Sequence, residues 1–297
     1  MRRLVCCALL SCALFAGPVH AQEPADSVVY GWDQSLEGGL GFTQTEFENY
    51  AKGGESSLTW TSFLAYKAIE LRPTREWKSE AEGQFGQTRL GDGDIRKAVD
   101  RIRLASLHTW KLGKLLDPYA GVEARTQFAK GYVYTASGDE ILVSKFANPL
   151  ELTQRLGGGR VLAQGLVTRL GVAFNEYIVT DDYYALIDTA GVLLRYTDDI
   201  ETLDELEKFR LDTGIESLTD YERSFENDRY KVKSMLKLFS KFEDPSRVKV
   251  EWTSKFTANL ISFVNVMLET EVLYDEEIVK RTQLKEIFSI GLSKTFF

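Results

Sequence analysis

Cysteine and histidine are scarce in this sequence, and their scarcity excludes several kinds of site. The three cysteines, Cys6, Cys7 and Cys12, all lie close to the N-terminus. If that segment is removed, the remaining chain can form no disulfide, no thiolate metal site and no cysteine nucleophile. Only His108 of the two histidines lies beyond residue 21. We predict no catalytic residue, no metal ligand and no cofactor.

Long apolar runs are also missing after the N-terminal segment. The run from Leu4 to Gly17 follows two arginines and precedes a small-x-Ala ending, which is the pattern of a secretory signal peptide. It is too short to cross a bilayer as a helix, which takes about 20 residues. We therefore predict a cleaved signal peptide at 1–21 and a periplasmic N-terminal lead-in at 22–34. Lipidation at Cys12 is an alternative, although it would cut the apolar run in half.

Positive charge is in deficit. The net charge is −8, and it becomes −10 once the two arginines of segment 1–21 leave, because that segment has no acidic residue. An acidic exported protein is a poor candidate for binding nucleic acid. Acidic pairs such as Asp181 and Asp182 lack EF-hand spacing, so we interpret them as solvated loop charge rather than as a calcium site.

What recurs along the chain is an alternation of apolar and polar residues with a period of two. In segment 248–256 the apolar side chains share one parity, and the charged ones share the other. About twelve such segments occur, near 35–45, 56–69, 76–88, 101–112, 118–129, 147–157, 162–175, 207–219, 228–242, 247–259, 261–274 and 282–297. Each is long enough for a transmembrane β-strand, which takes about 9–11 residues.

These segments predict an all-β fold, a transmembrane antiparallel up-and-down β-barrel of about 12 strands over residues 35–297, with outer-membrane lipid around it. Both termini are predicted to be periplasmic in a Gram-negative outer membrane. Long extracellular connections are expected at 89–100, 130–146, 176–206 and 275–281, and short periplasmic ones at 71–75, 113–117 and 259–260. We interpret Gly157–Gly159 as a flexible turn between strands six and seven. A soluble barrel or sandwich is the alternative, because its strands also alternate.

The final segment is the most specific of the twelve. Its apolar residues Phe288, Ile290 and Leu292 alternate with small polar ones, and the pattern continues to a terminal aromatic pair. Such a face is typical of the closing strand of an outer-membrane barrel, where alternate residues contact lipid. Gly291, Phe296 and Phe297 are therefore predicted to form the assembly signal that the barrel-insertion machinery reads.

A family resemblance begins at residues 36–57. The sequence Thr43-Gln-Thr45, with Phe47 and the run Asn49-Tyr-Ala-Lys-Gly-Gly-Glu55, resembles the opening of domain-of-unknown-function family 3078. Further matching stretches are 124–132, 144–150 and 272–275. That family consists of exported, barrel-like proteins of Bacteroidetes-type bacteria, so the resemblance implies an outer-membrane barrel of unknown biochemical role. It brings no catalytic residue with it.

Charges of both signs occupy the inward parity of the predicted strands. The basic candidates for lumen-lining residues are Arg101, Arg103, Arg125, Lys231, Lys233, Lys237, Lys249 and Lys255. One interpretation is a lumen in which opposite charges pair on adjacent strands, such as Glu80 and Glu82 with Arg101 and Arg103. The other is a narrow channel for small polar solutes, in which the lysines favour anions.

The leading prediction for function is a non-enzymatic barrel that acts as a narrow channel. A plugged barrel with a structural or surface-binding role through its extracellular loops is the first alternative. A lipid hydrolase on the barrel wall is the second, because Ser106 and His108 share the lipid-facing parity of one strand. No phospholipase-like motif surrounds either residue, so we interpret His108 as an interfacial residue beside Trp110.

Overall fold

A computed structural model describes residues 29–45, 56–91, 93–113, 115–134, 140–179, 209–261, 263–276 and 279–297. The predicted signal peptide 1–21, Cys12, most of the lead-in 22–34 and most of segment 176–206 lie outside the described residues. Residues from Gly31 to Phe297 form one compact unit. No helix in the described ranges is long and apolar enough to cross a membrane.

Fourteen strands are present in the described part of the chain. They are β1 (Gly31–Thr45), β2 (Ser57–Arg72), β3 (Arg75–Leu90), β4 (Ile95–Trp110), β5 (Asp117–Thr126), β6 (Gly131–Tyr134), β7 (Glu140–Ser144), β8 (Leu150–Ala163), β9 (Leu166–Ile178), β10 (Phe209–Phe225), β11 (Tyr230–Lys241), β12 (Val248–Ile261), β13 (Val264–Asp275) and β14 (Val279–Thr295).

Twelve of these strands form one closed antiparallel barrel in the order β1-β14-β13-β12-β11-β10-β9-β8-β5-β4-β3-β2. Each of the twelve predicted segments lies mainly on a different barrel strand, so the predicted fold is confirmed. The strands β6 and β7 pair only with each other, and form a hairpin inside the connection between β5 and β8. The long connection expected at 130–146 therefore contains a hairpin.

The alternation of residues places apolar side chains on the outer wall and polar ones inside. In β14, Phe288 and Ile290 are exposed on the outer wall, whereas Ser289 between them is buried. In β12, Trp252 is exposed and its neighbour Glu251 is only 6% exposed. A soluble sandwich would do the reverse, because its apolar faces would fill a core. The outer wall is therefore suited to an apolar surrounding.

The two rims of the barrel differ in their connections. At the rim where β1 begins and β14 ends, named here the terminal rim, the links are the short segments 73–74, 111–116, 164–165, 226–229 and 262–263. The opposite rim carries 46–56, 91–94, 127–149, 179–208, 242–247 and 276–278. Two expectations need correction here. The strands extend further than predicted, so the connections expected at 89–100 and 275–281 are in fact short.

The predicted turn at Gly157–Gly159 is wrong. These glycines lie inside β8, and the turn follows at residues 164–165. Gly157 pairs with Gly171 of β9, and a Cβ atom on Gly157 would lie 2.2 Å from the carbonyl oxygen of Leu170. Two strands approach closely here, and only glycine fits. At Gly157 the glycine thus reflects a close approach of two backbones rather than flexibility.

The first and last strands close the ring. The six residues Glu37–Phe42 pair with Thr295–Ile290 in antiparallel register. Next to the Glu37–Thr295 pair, the backbone amide of Phe296 donates to the carbonyl of Leu36 at 2.8 Å. The amide of Leu36 in turn donates to the carbonyl of Phe297 at 3.1 Å. The predicted assembly residues Phe296 and Phe297 thus continue the pairing that joins the two ends of the sheet.

Candidate functional site in the barrel lumen

The inner wall carries a set of linked ion pairs, and Glu123 of β5 lies at its centre. This carboxylate is 3% exposed and contacts Arg103 at 2.9 Å and Arg125 at 2.8 Å. Arg103 also reaches Glu80 of β3 at 3.1 Å. Strand alternation explains the arrangement, because β3, β4 and β5 are neighbours and direct these positions to the same side of the sheet.

The network crosses the bore from β5 to β12. Nη1 of Arg125 lies 2.6 Å from Oε1 of Glu251, and the other oxygen of Glu251 lies 2.5 Å from Nζ of Lys237. The strands β5 and β12 are five places apart in the ring of twelve, so they belong to facing walls. A contact between their side chains therefore spans the lumen.

Other pairs connect walls that are directly opposite. Lys233 of β11 contacts Glu82 of β3 at 3.2 Å, and these strands are six places apart in the ring. The same separation holds for Lys67 of β2 and Glu222 of β10, which are 2.8 Å apart. Together with the Arg125–Glu251 contact, these pairs hold facing walls together. We refer to these cross-lumen pairs and the charged residues linked to them as the ion-pair belt.

The belt is buried at its centre. Glu216 of β10 is only 1% exposed, and its Oε1 lies 2.8 Å from Nε of Arg155. Arg155 also approaches Glu123 at 3.8 Å, which links the two carboxylates through one guanidinium. Charges buried to this degree require partners, because an unpaired buried charge is strongly unfavourable. Side chains, rather than a wide aqueous bore, occupy the lumen at this level.

The predicted lumen-lining arginines lie in or next to this belt. Arg103 and Arg125 are central to it, as described above. Arg101 bonds to Gln84 on the adjacent strand at 3.4 Å and reaches Glu269 of β13 at 3.3 Å. Arg103 therefore makes the predicted pairs with Glu80 and Glu82, whereas Arg101 contacts Glu269 instead.

The predicted lysines differ in their surroundings. Lys249 pairs with Asp275 of the neighbouring strand at 3.0 Å, whereas Lys255 places its Nζ 4.6 Å from the centre of the Phe63 ring. Lys231 is exposed. Since Lys233, Lys237 and Lys249 each contact a carboxylate, their charges are locally compensated. These three lysines therefore do not form a row of unpaired positive charges that would select anions.

Sequence reasoning missed the acidic half of several pairs. Glu216, Glu222 and Glu251 were not among the expected inward residues, although Glu251 has the same parity as Lys249 and Lys255. The alternation of residues along each strand could have identified these three glutamates as inward-facing. Which acid meets which base depends on the tilt and closure of the ring, and local sequence does not carry that information.

The outer wall places Ser106 and His108 near the terminal rim. The indole nitrogen of Trp77 donates to the hydroxyl of Ser106 at 2.8 Å, and the Ser79 hydroxyl lies 3.2 Å from the same oxygen. His108 packs against Trp110, with ring centres 4.4 Å apart. Within the described ranges no hydrogen bond joins Ser106 to His108, so the pair does not have the geometry of an activated nucleophile.

With the geometry in place, the chain can be compared with known families. Residues 42–132 match the model of the family "Protein of unknown function (DUF3078)". The similarity to this family covers that segment, which is about a third of the chain. The matched DUF3078 segment contains β2 to β5 entire, and so it supplies Glu80, Arg103, Glu123 and Arg125 of the ion-pair belt. No curated protein matches the chain.

Several solved structures are similar in fold. The translocator domain of the autotransporter NalP from Neisseria meningitidis has 11% identity, with 99% of this chain and 94% of that chain covered and a TM-score of 0.39. An outer membrane channel from Pseudomonas putida F1 has 10% identity, 93% and 100% coverage and a TM-score of 0.42. The beta domain of the Bordetella autotransporter BrkA has 11% identity, 89% and 99% coverage and a TM-score of 0.36. These similarities concern the fold alone.

Proposed function

We propose that this protein is a bacterial outer-membrane barrel with a closed lumen, which serves as a scaffold for its long connections rather than as an open pore. The observation that carries the proposal is the contact of 2.6 Å between Arg125 and Glu251, which joins facing walls. We propose that the connections at the rim opposite the termini bind a partner at the cell surface. These connections include 46–56, 127–149 and 179–208.

The placement in the membrane rests on the outer wall and on the two rims. An apolar outer face suits lipid, and single-chain bacterial barrels have short periplasmic turns and longer extracellular loops. The short links of the terminal rim then correspond to the periplasmic side. Both termini are accordingly proposed to be periplasmic, and the long connections extracellular.

The closed lumen follows from the energetics of buried ion pairs. Separating one partner from a buried pair costs about 3–5 kcal/mol, because it leaves an uncompensated charge. Opening the bore at this level means breaking the contact between Arg125 and Glu251, because Lys237 and Glu251 lie on adjacent strands of the same wall. A state that costs this much free energy is rarely populated at equilibrium.

Conductance in a planar bilayer tests this proposal. We expect the wild-type protein to give no discrete conductance steps, and the double variant Arg125→Ser with Glu251→Ser to give reproducible ones. Both members of the cross-lumen pair are removed together in that variant, and Lys237 loses the carboxylate that it contacts. The matched control is Lys249→Ser with Asp275→Ser, which removes a pair between adjacent strands and should remain silent. Discrete steps from the folded wild-type protein would contradict a closed lumen.

A narrow channel for small polar solutes is the second candidate. A small cavity within the lumen favours it, since charged side chains such as Lys78, Arg169 and Asp220 line its wall. Steps from the wild-type protein in the same experiment would support this candidate. Lipid hydrolysis is not proposed, because the Ser106 hydroxyl is bonded to Trp77 rather than to His108. The protein is proposed to be non-enzymatic.

The barrel-insertion machinery is the proposed assembly partner, through Gly291, Phe296 and Phe297. Gly291 pairs with Gly41 across the closing seam, and a Cβ there would lie 2.5 Å from the carbonyl oxygen of Leu40. Phe296→Ser should slow the appearance of folded barrel in the outer membrane several-fold, as followed by protease resistance after a pulse of synthesis. Phe242→Ser, an exposed aromatic at the opposite rim, is the control. Equal rates for both variants would remove the terminal aromatics from the proposed signal.

A further inference from the structure

The outer wall carries a shallow groove near the terminal rim, across β3, β4, β5, β8 and β9. Its floor is formed by Ala120 and Val122, with Trp77 and His108 along one side and Leu156 and Phe174 along the other. In the register of the sheet, Ala120 lies between His108 of β4 and Leu156 of β8. Ala120 is smaller than His108 and Leu156 on either side of it, so the wall is depressed at this position.

The groove contains one unsatisfied polar atom. Nδ1 of His108 is shielded from solvent and has no hydrogen-bond partner within the described residues. Shielded polar atoms are normally hydrogen-bonded, so this nitrogen is an exception within the described residues. The hydroxyl of Ser106, by comparison, already bonds to Trp77.

Positive charge lies at the rim end of the groove. Arg75 lines the groove, and its guanidinium is 3.2 Å from Glu70. Arg72 contacts the same carboxylate at 2.8 Å. Two guanidinium groups therefore share one carboxylate, and a net positive charge remains. Both arginine side chains are about half exposed, at 50% and 49%, so they are accessible to a further anion.

We propose that this groove is a specific binding site for an anionic glycerophospholipid of the periplasmic leaflet. One acyl chain lies along Ala120 and Val122, and the phosphate contacts Arg75 at the rim end of the groove. The inference rests on the proposed membrane location, because it needs lipid against this wall at the level of the short turns. The established fold does not require such a site, since any apolar wall can be covered by unspecific lipid.

The physical basis of selectivity is the charge and not the acyl chain. The acyl chains of an anionic and a zwitterionic phospholipid fill the groove in the same way, so their packing does not distinguish the two lipids. An anionic head group differs from a zwitterionic one mainly in its interaction with basic side chains, which is favourable at the membrane surface. Arg75 should therefore decide which head group is retained, and the depth of the groove should decide whether any lipid is retained.

Native mass spectrometry of the folded full-length protein, equilibrated with equal amounts of phosphatidylglycerol and phosphatidylethanolamine, tests the site. We expect one retained phosphatidylglycerol at about five-fold preference over phosphatidylethanolamine, in line with a single charge contact at the membrane surface. Ala120→Phe fills the groove and should abolish retention of both lipids. Arg75→Gln should keep retention but remove the preference, because Arg72 still satisfies Glu70.

The control is Ala124→Phe, on the same strand and the same face but outside the groove. It should behave as wild type. Equal retention by wild type and Ala120→Phe would overturn the proposal, and so would an unchanged preference in Arg75→Gln. If Ala120→Phe does not fold, the lipid preference of Arg75→Gln tests the proposal by itself. The Arg75 side chain is half exposed, so this variant should fold. Failure of the wild-type protein to insert into lipid vesicles at all would instead contradict the membrane location.

Discussion

Replacing Glu251 with glutamine should lower the free energy of unfolding by about 3 kcal/mol, the scale for removing one partner of a buried ion pair. Glutamine has nearly the shape of glutamate, so the change removes charge without making a cavity. Arg125 keeps its contact with Glu123 at 2.8 Å, but Lys237, which is 9% exposed, loses the carboxylate that it contacts. Urea unfolding in neutral lipid vesicles, followed by tryptophan fluorescence, measures the effect.

The control for this variant is Glu226→Gln in the turn after β10. Glu226 is 64% exposed and lies 3.9 Å from Arg229. Exposed pairs of this kind contribute about 0–1 kcal/mol, so the control should remain close to wild type. If both variants unfold at the same urea concentration, the ion-pair belt does not stabilise the barrel in the way that its burial indicates.

A single methyl group at Gly157 should disrupt the barrel to a comparable degree. In Gly157→Ala the new Cβ would lie 2.2 Å from the carbonyl oxygen of Leu170 and 2.6 Å from Cα of Gly171. Both atoms belong to the backbone of β9, so no side-chain rotation relieves the contact. Overpacking of this kind costs on the order of 3 kcal/mol, and here it also forces two paired strands apart. The yield of heat-resistant, compact barrel on refolding is the measurement.

Gly83→Ala provides the comparison within the same sheet. A Cβ at Gly83 meets only the ring of Phe128, at 3.6 Å, which is an ordinary contact. The loss of glycine flexibility in the unfolded chain is the same in both variants, so it cancels. A similar loss of folded barrel in Gly83→Ala and Gly157→Ala would mean that any added methyl group is harmful, and the close approach of β8 and β9 would not explain the result.

Strand alternation predicts the fold of this protein well because the barrel has two different surroundings. Trp252 and Phe256 are on the outer wall and Glu251 and Lys255 are inside, and one residue of slippage would exchange them. The same rule gave less information about strand ends. Polar residues continue along the strands beyond the apolar band, so β4 begins at Ile95 although its apolar alternation becomes clear only near residue 101.

The partners inside the lumen could not be predicted from local sequence. Arg101 was expected to meet Glu80 or Glu82 on the adjacent strand, yet it reaches Glu269 on β13. That contact depends on the diameter and tilt of the ring, which are properties of all twelve strands together. Gly157 is a second case, because glycine suits both a flexible turn and a close approach of strands. Only the pairing of β8 with β9 distinguishes the two.

The closing seam affects how the chain behaves during synthesis, before the barrel has closed. Most ladders of the ring join strands that follow each other in sequence, but the seam joins Glu37 to Thr295. Until residue 295 is present, the two outermost strands expose unpaired amide and carbonyl groups, which are templates for pairing with another molecule. A second unclosed copy offers the same edges, and its chance of pairing rises with concentration. The rate of synthesis must therefore stay low enough for each ring to close on itself before it meets another.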